Sequence, residues 1–305
     1  MLSGALVPCP FCQDAFAFGR PIFSVADDPL NDIAVCGTCG LVYKPVFNGA
    51  GVPAGGTHYQ VRSWSGNIEA HRKRFGSLLQ ELVDQGVLRD SRLVLDVGAG
   101  IGVLRDALRA QQIGVERYVA VEPVHDIATH LKAAHPDAVV LRGEFGDIAL
   151  PPASCDYVFV CGVDHLLRDL RGALEKIAGL LTPEGRVVIQ RNVFLDQEGY
   201  AGMEILDAKA MFASNPLVRN WFHTDQYVEF VAQFFDVVKA WTTVQLYPRP
   251  LGTGEFRSST LNVVCRARAT SSPARAIVRS YLSQTWPRLR ELGIVDAVPA
   301  SFGRD

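Results

Sequence analysis

Val94-Leu95-Asp96-Val97-Gly98-Ala99-Gly100-Ile101-Gly102-Val103-Leu104 is the stretch on which the fold turns. Arg92 to Val97 is an apolar run suited to a buried parallel strand. It enters a turn of alternating glycines and continues into a helix expected over Gly102 to Gln111. Glycine lets the backbone pass close to a ligand, and a helix that begins there leaves amides free at its N-terminus. Glu122 ends the next apolar strand, Tyr118 to Glu122, and lies 26 residues beyond Asp96. A carboxylate at that place can accept two hydrogen bonds from ribose hydroxyls. A dinucleotide site competes for the pattern, but its spacing is G-x-G-x-x-G. Here Gly98, Gly100 and Gly102 give G-x-G-x-G, with Asp96 just before the turn.

The pattern extends in both directions. Before the turn, Ile68, Phe75, Leu78, Leu79 and Leu82 recur at helical spacing, which predicts a helix from about Asn67 to Val83. After it come a helix (Ile127 to Ala134), a third strand (Ala138 to Arg142) and a fourth (Tyr157 to Cys161). A helix from Leu170 to Leu181, closed by the turn Thr182-Pro183-Glu184-Gly185, leads to a fifth strand, Arg186 to Gln190. Strands alternating with helices imply a parallel sheet covered on both faces. The pattern then changes: Asp225 to Phe234 is helical, and Phe235 to Gln245 and Thr260 to Arg268 are strand-like. The Pro- and Gly-rich segment between them predicts a hairpin-like antiparallel addition at one sheet edge. The tail carries one helical stretch, Ala274 to Glu291.

With Asp96, Gly98, Gly100 and Gly102 in the order D-x-G-x-G-x-G, the chain resembles class I methyltransferases that use S-adenosylmethionine (SAM). The resemblance covers roughly residues 67 to 268, about two thirds of the chain. It implies an α/β, Rossmann-like, seven-stranded sheet whose last strand is reversed. It also implies that the glycine loop, with Ala99, wraps the methionine part of SAM and that Glu122, followed by Pro123, holds the ribose. Gly143-Glu144-Phe145, after the third strand, looks like the loop that contacts adenine, so Glu144 and Phe145 are expected there. Tyr59 is placed over the cofactor by its position after the linker alone.

The N-terminal part carries a second signal. Cys9-Pro10-Phe11-Cys12 and Cys36-Gly37-Thr38-Cys39 form C-x2-C-x23-C-x2-C, two knuckles whose sulfurs can make the tetrahedral thiolate set that zinc prefers. Two disulfides or a redox C-x-x-C are the other readings. Reducing conditions disfavour the first, and the second usually opens a helix in a βαβ context. Four thiolates fill the coordination sphere, so a structural zinc is expected at Cys9, Cys12, Cys36 and Cys39. The remaining cysteines, Cys155, Cys161 and Cys265, lie in apolar stretches and read as small buried hydrophobes.

The acceptor side is expected where strand C-termini line the crevice of an open α/β sheet. The fourth strand ends in Cys161-Gly162-Val163-Asp164-His165, similar to the family's V-L-E-H segment with Asp164 in place of Glu. His165 there is either a general base or a packing histidine. Phe222-His223-Thr224-Asp225 looks like a degenerate form of the Y-H-E-H segment of zinc-ribbon methyltransferases acting on nucleotide-linked sugars. His223 is accordingly a second candidate base, and Thr224 or Asp225 a candidate helix N-cap. His165, His223 and Asp164 form the candidate catalytic set.

Composition bounds the rest. Thirty Lys and Arg face 32 Asp and Glu among 305 residues, a net charge of −2, which speaks against a polyanion partner. The start has neither a basic n-region nor an apolar h-region, and no apolar run is long enough to cross a bilayer, so a cytoplasmic enzyme is expected. The organisation read is a zinc ribbon over 1–48, a linker over 49–66, a SAM-binding domain over 67–268 and a helical tail over 269–305. Zinc ribbon plus class I domain resembles two enzyme groups, one acting on sugars and specialised metabolites, the other on ribosomal RNA. Cys36-Gly37-Thr38-Cys39-Gly40-Leu41-Val42, followed by Pro45, looks like the first. The expected function is methylation of a small molecule, O- favoured over C-methylation, in a biosynthetic route. The alternatives are a zinc-ribbon RNA methyltransferase and a non-catalytic SAM-binding partner protein.

Overall fold

The computed structural model describes residues 5–6, 8–13, 18–25, 28–47, 68–196, 218–248, 255–268, 280–292 and 295. A seven-stranded sheet is built from β6 (Ser91–Val97), β7 (Val115–Glu122), β8 (Val139–Arg142), β9 (Cys155–Cys161), β10 (Leu181–Arg191), β12 (Phe235–Pro248) and β13 (Glu255–Ala267). Its order is β12-β13-β10-β9-β6-β7-β8. The pairs β6–β7, β7–β8, β6–β9 and β9–β10 are parallel. β13 runs antiparallel to both its neighbours, so it alone is reversed, as the edge hairpin predicts. The central strands are buried on both faces because helices cover both.

Those helices are α1 (Ile68–Asp84), α2 (Val103–Ala110), α3 (His125–Ala134) and α4 (Leu170–Leu180). α1 buries Phe75, Leu78, Leu79 and Leu82, the stripe seen in the sequence, against Val103, Leu104, Ala107 and Leu108 of α2. α4 buries Leu170, Ala173, Leu174 and Ile177 on the other face, against Val158, Val160 and Val187. Asp169 caps α4 by accepting the Gly172 amide at 2.8 Å. The three cysteines read as hydrophobes, Cys155, Cys161 and Cys265, are all buried.

Three expectations need correction. The fifth strand begins at Leu181 rather than Arg186, because Leu181 pairs Cys155 before the register shifts to Arg186 with Tyr157. The expected turn Thr182–Gly185 is therefore an irregularity inside the strand. In the tail, Ser280 and Tyr281 are not helical and α6 (Leu282–Glu291) starts after them, so no single helix runs from Ala274. At the start of α5 (Thr224–Val231) the N-cap is His223, and the Thr224 amide is taken by Asp196 Oδ2 at 2.9 Å.

The cysteine-bearing part adds β1 (Ala5–Leu6), β2 (Phe18–Val25), β3 (Asp28–Cys36), β4 (Val42–Tyr43) and β5 (Val46–Phe47). A four-stranded sheet of order β11-β4-β3-β2 takes its edge strand, β11 (Asn220–Trp221), from far along the chain. Ile33, Val35 and Val42 pack with Trp221, Trp286 and Leu289, so α6 covers this sheet. Cys9, Phe11, Cys36 and Cys39 belong to the same apolar cluster as Val158, Val187 and Phe230.

Candidate functional site

The glycine turn sits at the C-terminal end of β6. Gly98 and Ala99 both donate to Val121 O of β7, at 2.8 and 3.0 Å. Gly98, Gly100 and Gly102 have φ of +70, +55 and +89°, a region that side chains disfavour. The turn is also crowded: a Cβ on Gly98 would lie 2.6 Å from Val163 Cγ1, and one on Gly102 would lie 2.5 Å from His135 Nε2. The first of these contacts locks the turn against the segment leading to His165.

Glu122 ends β7 and is 6% exposed. Its Oε2 accepts the Gly100 amide at 3.0 Å and its Oε1 the Val124 amide at 2.9 Å. Burial raises its pKa, and those two amides oppose the rise. Pro123, half-buried, follows it. Asp96 lies within β6, accepts the Tyr118 hydroxyl, and is pushed up to about 7 by burial and by the Glu122 charge, against that hydrogen bond. Asp96 thus braces the strand from inside, and Glu122 shapes the mouth of the turn. Glu144 precedes a short 3-10 turn, Phe145–Asp147, whose Phe145 is buried. Lys176 holds it, with Nζ 4.6 Å from the ring centroid and donating to Phe145 O at 2.5 Å. Tyr59 lies outside the described residues.

Asp164 and His165 occupy a 3-10 turn just past β9. Asp164 is fully buried and ion-paired with Arg191 at the end of β10, itself fully buried. Burial alone would raise Asp164; the Arg191 guanidinium beside it overcomes that and holds the carboxyl well below the usual range. The His165 ring stands beside this pair, Nδ1 3.6 Å from Asp164 Oδ1. Burial lowers its pKa and Asp164 partly restores it. A buried imidazole whose protonation is disfavoured thus stands next to a carboxylate that cannot itself take a proton near neutrality.

His223 is placed elsewhere. Its Nε2 lies 3.0 Å from Thr285 Oγ1, which donates to Gly40 O at 2.7 Å. With the hydroxyl proton used on Gly40, Nε2–H must be the donor to Thr285. The ring also stacks on Tyr281 at 5.7 Å. His223 thus ties α5 and α6 to the second cysteine knuckle.

The four cysteine sulfurs lie within 4.8 Å of one another. Cys9 and Cys39 are 3.5 Å apart, as are Cys12 and Cys36. A disulfide needs about 2.05 Å. Four thiolates around zinc, with Zn–S about 2.3 Å, stand about 3.8 Å apart. The cluster fits a tetrahedral metal site and not two disulfides.

Arg191 and Asn220 were not singled out in the sequence. Arg191 donates through Nε to Val193 O and through its second terminal nitrogen to Asn220 O and Oδ1, each at 2.9 Å. The available signal was a charged residue closing the apolar run Val187-Val188-Ile189, where strand ends line the crevice.

Taken together, the sheet order, its single reversed strand and the glycine turn define a Rossmann-like class I methyltransferase fold. Residues 95–189 match the family described as "Methyltransferase domain". An uncharacterized methyltransferase of Mycobacterium tuberculosis is 31% identical over 138 residues, 45% of this chain and 55% of the relative. The chain thus spans about half the length of the curated relatives it matches. Among solved structures, a chain of the Haloferax volcanii complex between the Trm112 methyltransferase activator and a methyltransferase superposes with TM-score 0.56 at 17% identity, covering 70% of this chain and 98% of that one. A protein of Bacillus halodurans assigned as a methyltransferase gives TM-score 0.51 at 12% identity, covering 63% and 100%. The domain match and the named relatives place residues 95–189 among methyltransferase-like domains. No helix among the described residues is long and apolar enough to cross a membrane.

Proposed function

We propose that this protein transfers a methyl group from SAM to a small-molecule acceptor, a hydroxyl of a sugar or specialised metabolite. The observation that supports the reading is the glycine turn at the end of β6, whose Gly100 amide is taken by the buried Glu122 and which approaches Val163, two residues before His165. The donor set suits the cofactor. A carboxylate offers about four acceptor positions, so Glu122 keeps capacity for ribose hydroxyls beyond the two amides it accepts. Bound SAM supplies a methyl on a sulfonium already activated for transfer. Gly98, Ala99, Gly100 and Gly102 let the backbone approach it, Glu122 and Pro123 orient the ribose side, and Glu144 and Phe145 border the adenine side. Alignment of acceptor and methyl is the protein's main contribution. His165, kept neutral by burial, accepts the acceptor's hydroxyl proton. His223 holds the junction with the ribbon, and Cys9, Cys12, Cys36 and Cys39 hold a structural zinc.

Calorimetric titration with SAM and S-adenosylhomocysteine is expected to show micromolar-range binding that Gly100→Asp abolishes. The new carboxylate would stand at a φ of +55° against Glu122. No binding to well-folded protein removes the reading.

His165→Asn is expected to cost about 10²- to 10⁴-fold in turnover while S-adenosylhomocysteine binds normally. Because the folded pKa of His165 is lowered, wild-type rate should hold through neutral pH and fall only below the ordinary histidine range. Full turnover in the variant would exclude the base role.

A further inference from the structure

Behind the glycine turn stands a third histidine. His135 closes the C-terminal end of α3 and is 3% exposed. Its backbone is fixed on both sides: the His135 amide donates to Leu131 O, and His135 O accepts the Ala138 amide, each at 2.9 Å. The ring lies against Gly102, the N-cap of α2. A Cβ on Gly102 would meet His135 Nε2 at 2.5 Å, His135 Cδ2 at 2.6 Å and Leu131 Cδ1 at 2.6 Å. The imidazole therefore fills the volume that a side chain at position 102 would claim. Glycine is needed there for this contact as well as for its φ of +89°.

Charged groups from α2 and from the segment after α3 surround the ring. Arg109 of α2 lies 3.4 Å from Nδ1 through its Nη1. A guanidinium only donates, so Nδ1 offers its lone pair and the proton sits on Nε2, the nitrogen that faces Gly102. Asp106, also on α2, has Oδ1 3.8 Å from Nε2. Asp137 binds both Arg105 and Arg109 at 2.6 Å. Those two arginines hold its carboxyl down at about 2, so Asp137 keeps Arg109 in place in mild acid. A second proton on the ring would land on Nδ1, donor against donor and cation against cation. Burial, Arg109 and Arg105 accordingly lower the His135 pKa, and Asp106 and Asp137 oppose them.

We propose that His135 is a positioning residue for cofactor binding: its neutral, Nε2-protonated imidazole wedges the glycine turn and the start of α2 into the binding shape, and protonation of the ring releases them. The inference rests on the SAM reading above and deepens it. Gly102 is two residues from Gly100, whose amide Glu122 accepts, so a shift of Gly102 displaces the backbone that meets the cofactor. The neutral ring favours binding and its pKa is lowered, so affinity is full at neutral pH. It declines only below the ordinary histidine value of about 6.5, by at most about tenfold per pH unit for one proton.

The test is calorimetric titration of the full, zinc-loaded chain with S-adenosylhomocysteine from about pH 8 to about pH 5, for wild type, His135→Ala and His135→Gln. His135→Ala empties the slot behind Gly102 and should weaken binding about tenfold at the alkaline end. Glutamine supplies an amide N–H in place of Nε2–H and does not titrate. His135→Gln should therefore match wild type at the alkaline end and bind about tenfold more tightly than wild type at the acid end. Glu122, Asp96 and His165 are present in both proteins, so their titration cancels in that ratio. Near-ultraviolet circular dichroism checks that each variant is folded. Wild-type affinity in His135→Ala, or a constant ratio of wild type to His135→Gln across the range, would overturn the inference and leave the SAM reading standing. No binding by folded wild type at any pH would remove that reading, and this inference with it.

Discussion

Arg191→Met is expected to lower the unfolding free energy by about 3–5 kcal/mol, measured by denaturant titration near neutral pH. Arg191 and Asp164 are both fully buried, so removing the guanidinium leaves a carboxylate alone in the interior. Two acceptors on Asn220 and the Val193 carbonyl lose their donor as well. The guanidinium is also enclosed by the rings of Tyr227, Phe222 and Phe194, at 4.7, 5.3 and 5.5 Å. Methionine fills much of that volume but offers no hydrogen bond.

The loss should depend on pH. In the wild type the folded pKa of Asp164 is depressed, which contributes stability above the unfolded carboxyl value of about 3.9 and loses it as pH falls through the folded value. In the variant burial acts unopposed by Arg191 and the folded pKa rises, so stability falls as pH climbs past the unfolded value. The gap between the two proteins should therefore widen above about pH 4. Arg191→Met combined with Asp164→Leu should recover part of the loss, because an apolar pair leaves no buried charge. A single variant within 1 kcal/mol of wild type across that range would show that the pair does not brace the crevice.

Zinc removal carries the second large effect. The protein is expected to hold about one zinc per chain, and strong chelation or Cys36→Ser should unfold the ribbon and loosen α5 and α6. Structural zinc sites supply about 10–16 kcal/mol at neutral pH, comparable to the whole stability of a domain, about 5–15 kcal/mol. The damage should spread because the knuckles are shared with the larger domain. Phe11 packs edge-on against Phe222 and Phe230 at 6.2 and 6.1 Å. Cys39 O accepts both the Gln226 side chain and the Tyr281 amide at 3.0 Å. Loss of near-ultraviolet circular dichroism on chelation, with metal content measured in parallel, reads this directly. Metal-free protein that keeps its tertiary signal would overturn the zinc assignment.

The comparison of sequence with structure divides along physical lines. Signals that repeat locally were legible: the strand–turn–helix around Gly98, the apolar stripe of α1, the alternation that makes a parallel sheet, and two C-x2-C pairs close enough in sequence to share a metal. Each depends on neighbours within a few residues or on one strict spacing, and hydrophobic burial then leaves few arrangements open. What needed the folded chain were contacts between groups with no pattern linking them. Arg191 meets Asp164 because β9 and β10 run parallel and end together. β11 joins the cysteine-bearing sheet from far along the chain, and that placement draws His223 toward Thr285 and Gly40, whereas His165 lies beside Asp164. The two histidines are equivalent as residues in a string. The packing of the cysteine-bearing part against the α/β sheet distinguishes them, because it sets one imidazole against Thr285 and leaves the other beside the Asp164–Arg191 pair.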